Sequence, residues 1–275
     1  MPSMESDEPT PGGEQEFGGL LREFRRGRRL SQLDLSLHAE VSQRHLSFLE
    51  SGRARPSRDM VVQLSEALDL PLATRNRLLG AAGFSGIYPR RQLDAAEMTP
   101  VRTALERMLS LHEPFPALVV DRSWNLVMAN RALPKLLDLL GGGEAIAKRV
   151  GCMNLMRMTL HPEGLRPYIQ NFDEIAAHLL TRAAHEAMDY RELDPLLSEV
   201  LKYPGLPARS KHVDRSTPML PILPMQLSLN GTQLSLFTTL TTFGTPMDIT
   251  TDELRIENLY PADEASDRLM RQFLA

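Results

Sequence analysis

Ser42, Gln43, Arg44, His45 and Ser47 gather hydrogen-bonding side chains into one short stretch of the chain. Leu46 and Leu49 recur there at i and i+3, so a helix over about 43–51 turns its leucines one way and the polar set the other. A glutamine amide matches the donor–acceptor edge of adenine, and an arginine fork matches the two acceptors of guanine. Gln32, Arg53 and Arg55 flank the stretch, and their N–H groups suit phosphate oxygens. Together these residue types offer non-covalent reading of a base edge and its backbone.

Two short helices must position them. Ser31 is a good N-cap, so Gln32 opens the first helix. Leu33, Leu35, Leu37 and Ala39 are its expected apolar positions, and Val41 is expected between the two helices. Ser42 caps the second helix, which Gly52 stops. Ahead of this pair, 17–28 reads as a helix with Phe17, Leu20, Leu21 and Phe24 on one face. Arg22, Arg25, Arg26 and Arg29 crowd its other face and are expected to meet phosphate, the competing role being a solvated surface. Ser57 to Leu68 and a segment opened by Pro71 supply two more helices, closing a five-helix domain near Gly83. A helical hairpin with merely solvated polar faces is the plain alternative.

The pattern Leu30-Ser31-Gln32, Val41-Ser42, Leu46-Ser47, Glu50, Gly52 and Pro56 resembles the phage-repressor type of helix-turn-helix, the XRE family. The resemblance covers roughly 17–82. It implies a DNA-binding transcription regulator whose reading helix lies in the major groove.

Composition agrees with that expectation. The net charge of −4 is unevenly spread: 1–16 carries five acids and no base, whereas 17–91 carries thirteen arginines against seven acids. The remainder is acidic again, so the one basic segment is the one with the helix pair. The tail 1–16, with its Pro and Gly, is expected to be disordered. It lacks the basic start and apolar run of a signal peptide, and no apolar run approaches a membrane span. The single cysteine, Cys152, excludes an internal disulfide framework and suits a reducing cytoplasm.

After a linker over 84–98, Thr99-Pro100 opens a helix to about His112. Then the period changes. Residues 116–121 and 124–130 read as strands, and Asn130 is placed to cap a helix stopped by Gly141-Gly142-Gly143. Residues 144–203 read as helical, and 204–224, with five prolines, as a surface wrap. Met225–Leu229 alternates strictly before Asn230-Gly231, a strong hairpin signal, and 233–243 returns. Leu234, Leu236 and Leu240 share one face of that strand, with Phe237 and Phe243 on the other. Residues 254–260 form a further strand, and Asp263 caps a last helix.

The second half, about 98–275, resembles the MmyB-like ligand-binding domain that follows XRE domains in bacterial regulators. The carrying residues are the 116–130 strand pair, Asn154-Leu155-Met156-Arg157, His161-Pro162, 240–246, 253–257 and Tyr260-Pro261-Ala262-Asp263. That resemblance implies a PAS-like α+β sensor, an antiparallel sheet with covering helices, and fatty-acid-like ligands in some members.

No catalytic constellation is present: no G-x-S-x-G elbow, no phosphate loop and no H-E-x-x-H. Cys152, His161, His178 and His185 do not have the spacing of a known metal-ligand set. Fourteen methionines against nine phenylalanines and one tryptophan suit an adaptable apolar cavity or, equally, ordinary core filling. The reading is therefore a regulator without enzyme activity, metal or cofactor. An all-α five-helix domain over 17–83 binds a double-stranded operator, and a PAS-like α+β domain over 99–275 dimerises and takes a small apolar ligand. Trp124, Met128, Met156, Phe237 and Phe243 are its expected lining. Arg157 and His161 are candidate donors for a head group, with a surface ion pair as the competing role. The alternative is a C-terminal half that only dimerises or scaffolds.

Overall fold

The five helices described in the N-terminal unit end in the same way. In the computed structural model, which describes residues 13–207, 222–229 and 231–274, these are α1 (Gly13–Gly27), α2 (Gln32–His38), α3 (Gln43–Glu50), α4 (Arg58–Ala67) and α5 (Leu72–Ala81). Each is followed by a residue at positive φ: Arg29, Glu40, Gly52, Asp69 and Gly83. The next N–H then reaches back five residues, as Leu30 to Arg25 and Val41 to Ser36, which satisfies the last carbonyls of the helix. Only two of the five are glycine, so glycine alone marks two of these ends.

The helix starts follow the sequence more directly. Ser31, Ser42 and Ser57 each accept a hydrogen bond from the N–H three residues on. At Ser31 the carboxylate of Asp34 also accepts from the Ser31 N–H, completing a capping box. Phe17, Leu21, Leu35, Leu46, Leu49, Val61, Leu64 and Leu78 form the fully buried centre. Leu33 and Leu37 are exposed, against expectation: α2 buries only Leu35, Ser36 and Ala39 around its inner side. Val41 is half-buried at the edge of this core. Gly18 lets α1 approach the end of α3 closely. A Cβ there would lie 2.6 Å from the Leu49 carbonyl oxygen and 2.8 Å from that of Glu50.

This unit runs on past Gly83 to Arg90. Asn76 on α5 accepts from the Ile87 and Tyr88 N–H groups and donates to the Tyr88 carbonyl, and Arg75 lies against the Tyr88 ring. The first half of the expected 84–98 linker is thus fastened to the helical domain, and the second unit starts at Arg91.

That second unit is organised on a five-stranded antiparallel sheet among the described residues, in the order β2-β1-β5-β4-β3. Its elements in chain order are α6 (Thr99–Leu111), β1 (Ala117–Val120), β2 (Leu126–Ala129), α7 (Ala132–Leu139), α8 (Gly143–Val150), α9 (Leu155–Leu160), α10 (Phe172–Glu186) and α11 (Asp194–Val200). There follow β3 (Met225–Leu229), β4 (Thr232–Thr241), α12 (Ile249–Glu253), β5 (Arg255–Pro261) and α13 (Glu264–Leu274). Helices cover both faces. Ala117, Val119 and Ile256 pack with Leu105 and Leu109 of α6 on one side. Leu118 and Val120 face α7, α9 and α10 on the other. Hence every residue of β1 is buried, without the in–out alternation of an exposed sheet.

Local signals hold here too. Asn130, buried, accepts from the Ala117 and Leu133 N–H groups and donates to the Phe115 carbonyl, tying the end of β2 to the start of α7. Asp263 accepts from the Ser266 N–H and opens α13. β3 and β4 pair around a two-residue loop, with Leu229 opposite Thr232 and Gly231 at positive φ. Asn230 of that turn, most of the expected acidic tail and most of the proline-rich wrap lie outside the described residues.

Candidate nucleic-acid interface and ligand cavity

The outward side of α3 carries the predicted set. Ser42, Gln43 and Arg44 are exposed, and His45 and Ser47 are half-buried beside them. The Ser42 hydroxyl oxygen is the cap acceptor for His45, so Ser42 both starts the helix and sits at its outer corner. Phe48 gathers two arginines: the Arg44 guanidinium lies 5.4 Å and that of Arg53 6.0 Å from its ring centroid. That contact pre-orders two long cations next to α3. Arg53 and Arg55 are exposed just beyond the helix.

Two expectations about this surface need correcting. Arg25 does not belong to a phosphate-facing stripe. It is buried and grips Glu50 through Nε and Nη2, at 2.5 and 2.8 Å. Arg22 donates to the Glu50 carbonyl at 2.7 Å, and Arg28 donates to the carbonyls of Leu68 and Asp69 at the end of α4. Gln32, placed among the phosphate contacts, turns its amide nitrogen inward to Glu50 at 2.9 Å. The physical reason is the same for Arg25, Arg22 and Gln32: Glu50, 3% exposed, is a buried carboxylate that must be paired, and these donors are the ones within reach. Burial pushes the Glu50 carboxyl up. The hydrogen bonds from Arg25 and Gln32, with the charges of Arg25 and Arg22, outweigh that and hold it below the ordinary carboxylate range. Arg26 and Arg29 remain exposed on α1 and its exit.

In the second unit a cavity of about 330 Å³ lies between the sheet and its helical cover. β5 contributes Glu257 and Leu259; β4 contributes Leu236, Thr238 and Leu240. Leu133, Leu136 and Leu137 of α7, Met158 and Thr159 of α9, and Ile175, His178, Leu179 and Arg182 of α10 close it. Fourteen leucines, two isoleucines and three methionines line it among the described residues, so it is an aliphatic space with few polar groups. Ile222, Thr238 and Leu240 are its exposed lining residues.

None of the seven residues expected at a ligand lines this cavity. Trp124 sits at positive φ in the β1–β2 turn, 1% exposed, with Nε1 donating to Glu186. Met156 is core. Met128 and Phe243 pack on the α6 side of the sheet. Phe237 stacks on Tyr260, centroids 5.3 Å apart, on the face of β4 opposite Leu236 and Leu240. Arg157 is bidentate to Glu199 at 2.8 and 2.6 Å and also donates to the Cys152 sulfur, as the competing ion-pair role required. That pairing holds the Glu199 carboxyl below its ordinary range. His161 packs edge-on against Tyr203, whose hydroxyl also donates to Glu199. The expectation favoured aromatic and methionine types; the cavity uses leucine. Of the leucine face 234/236/240, Leu236 and Leu240 line it. Three of the surplus methionines, Met153, Met158 and Met225, do reach the lining.

What sequence reasoning missed is a buried charged group where α10 crosses β5. Arg182 donates to Glu186 at 3.0 Å and to Glu257 at 3.2 Å, and its guanidinium lies 4.3 Å from the Trp124 ring centroid. Arg255 meets Glu186 at 2.6 Å. Burial raises the Glu257 carboxyl despite Arg182 and Arg255, and burial lowers Arg255 despite Glu186. Burial, with Arg182 nearby, also lowers His178, which favours its neutral form. Among the described residues no group of three or more His, Cys, Asp or Glu is placed to hold a metal ion. No helix there is long and apolar enough to cross a membrane.

Comparison with known proteins follows the same division. Residues 16–78 match the family model of a helix-turn-helix domain, and residues 101–273 match that of the MmyB-like transcription regulator ligand binding domain. A protein of Methanoculleus marisnigri described as an HTH-type transcriptional regulatory protein is 33% identical over 141 residues, 48% of this chain. The chain spans 44% of the length of that relative. The second model alone covers more than half of the chain and coincides with the sheet, its helices and the cavity, so this chain belongs to the family of MmyB-like transcription regulators, with a helix-turn-helix domain ahead of the ligand-binding domain.

Proposed function

We propose that this chain is a transcription regulator of the bacterial cytoplasm. It reads a double-stranded operator through α3 as a homodimer, and it senses a small, largely apolar molecule, a fatty acid or a related acyl compound, in the cavity of its second unit. The observation that carries the reading is the aliphatic cavity itself, walled by leucines of α7, α10 and β4 in a chain whose other unit presents Gln43 and Arg44 outward. Burying a methylene is worth about 0.8 kcal/mol, so affinity should rise with chain length until the cavity is filled. The bound molecule regulates only by favouring one arrangement of the DNA-reading heads over another, since equal affinity shifts nothing.

The test is to strip the protein of lipid, titrate acyl chains of increasing length, and follow thermal stability together with operator affinity. A melting temperature that rises with length and a parallel change in operator binding are expected. A melting temperature indifferent to length removes the ligand; a length-dependent one with unchanged operator binding removes the switch.

A further inference from the structure

A second apolar cavity, of about 220 Å³, lies next to the first. Leu136 and Leu139 of α7, Thr232 and Leu234 of β4, and Leu269 and Phe273 of α13 are among its walls. Leu136 lines both cavities, and among the described residues it alone does so. The two spaces follow each other along one face of β4: Leu234 borders the second, and Leu236 and Leu240 border the first. Leu240 stands opposite Glu257 in the β4–β5 pairing, and Arg182 donates to Glu257. The charged lining of the first cavity therefore belongs to its Leu240 end, away from the second cavity. From Leu240 to Leu234 the strand covers about 20 Å, at about 3.4 Å per residue.

The two cavities differ in what they offer. The second has no charged lining side chain, and Thr232 is its one polar one among the described residues. It has nothing with which to hold a charged head group and rewards only the burial of hydrocarbon. The first combines aliphatic walls with His178, Arg182 and Glu257. An amphiphile with its head in the first cavity thus finds, beyond Leu136, a continuation that suits only its other end. Leu136 is the partition. It is buried, yet it has open space on two sides, so it lacks packing partners there and can change rotamer into either space.

Resting on the ligand reading above, we propose that the cavity between α7, α13 and β4 is a distal subsite for the hydrocarbon end of the same ligand, and that Leu136 is the residue that sets chain length. Chains short enough for the first cavity stop at Leu136. Longer unbranched chains turn it aside and run on past Leu234 towards Leu269 and Phe273.

The experiment uses the full chain, stripped of lipid, and calorimetric titration with octanoate, dodecanoate and hexadecanoate below their aggregation concentrations. Affinity is expected to rise through the whole series in the unaltered protein. Leu269→Trp fills the second cavity from a half-buried position and leaves the walls of the first in place. It should weaken hexadecanoate at least about tenfold, a difference of about 1.4 kcal/mol, and leave octanoate unchanged. Leu136→Ala removes the partition, so the ratio of hexadecanoate to octanoate affinity should rise. Equal effects of Leu269→Trp on both chains, or none on either, overturn this proposal and leave the first cavity standing as the ligand site. Affinity that stops rising at dodecanoate in the unaltered protein does the same, because the chain then ends at Leu136. Failure of all three acids to bind the unaltered protein overturns the ligand reading and this proposal with it. If Leu136→Ala does not fold, the unaltered protein and Leu269→Trp decide by themselves.

Discussion

Arg25 of α1 and Glu50, the last residue of α3, form a two-pronged ion pair in the interior of the DNA-reading unit, through Arg25 Nε at 2.5 Å and Nη2 at 2.8 Å. Gln32 of α2 joins the same carboxylate at 2.9 Å, so one buried anion ties three helices together. Breaking one side of such a pair leaves a buried charge uncompensated. Glu50→Ala should lower the stability of this unit by about 3–5 kcal/mol, read by denaturant unfolding. The pH dependence follows from the depressed carboxyl. Because the folded state holds Glu50 below its unfolded value, the stabilisation is fully present above the ordinary carboxylate range and is lost as pH falls through the lower folded value. Unfolding of the protein and of Glu50→Gln between neutral and acid pH should show this component only in the former. Equal acid sensitivity would remove Glu50 as its source.

Gly18 sets how close α1 comes to the end of α3. Gly18→Ala places its new carbon against two backbone carbonyl oxygens that cannot swing aside. A loss of about 1–3 kcal/mol is expected, as for overpacking, with weaker operator binding because the clash lies at the base of the reading helix. A variant as stable as the parent would mean that the helices part without penalty.

Glu40, in the turn between α2 and α3, stands at φ 50, where a side chain crowds its own backbone. Glu40→Gly should raise stability by about 1 kcal/mol, because glycine enters this region without the steric cost. A lower melting temperature for the variant would show that the carboxylate does something for the fold that its exposure does not suggest.

Gln43 and Arg53 should fail in different ways. Gln43→Ala should relax discrimination at one base pair by about 1–3 kcal/mol and leave binding to random DNA nearly intact. Arg53→Ala should weaken all sequences alike and reduce the salt slope by about one. Binding titrations on operator, single-site variants and random duplex at several salt concentrations separate the two. Identical losses on every duplex would overturn the division of roles.

A single reading helix touches too few base pairs to select one operator in a genome. A two-fold dimer would present two such helices about 34 Å apart, one turn of the duplex. The basic N-terminal unit repels its own copy, so the second unit is the expected contact. Sedimentation of residues 91–275 should show a dimer at micromolar concentration; a monomer there would place the contact elsewhere.

Features whose causes lie within a few residues were legible in the chain alone. Ser31, Ser42 and Ser57 cap because a hydroxyl three positions before a free N–H reaches it whatever surrounds the helix. Leu46 and Leu49 turn inward, and Gln43 and Arg44 outward, because the helical period fixes their angle. The hairpin at 230–231 follows from strict alternation around a turn dipeptide. Features that depend on distant partners emerged with folding. Arg25 and Gln32 read as surface donors until folding set Glu50 beside them, and Arg182 and Glu257, 75 positions apart, carry no local sign that they meet. The alternation of β4 separated Leu236 and Leu240 from Phe237. It carried no information about which face the helices would roof over with space beneath, because that space is bounded by α7, α9 and α10, brought there by pairing of β1 with β5 across more than a hundred residues. Local periodicity states which side chains share a face; only the non-local pairing of strands states what that face meets.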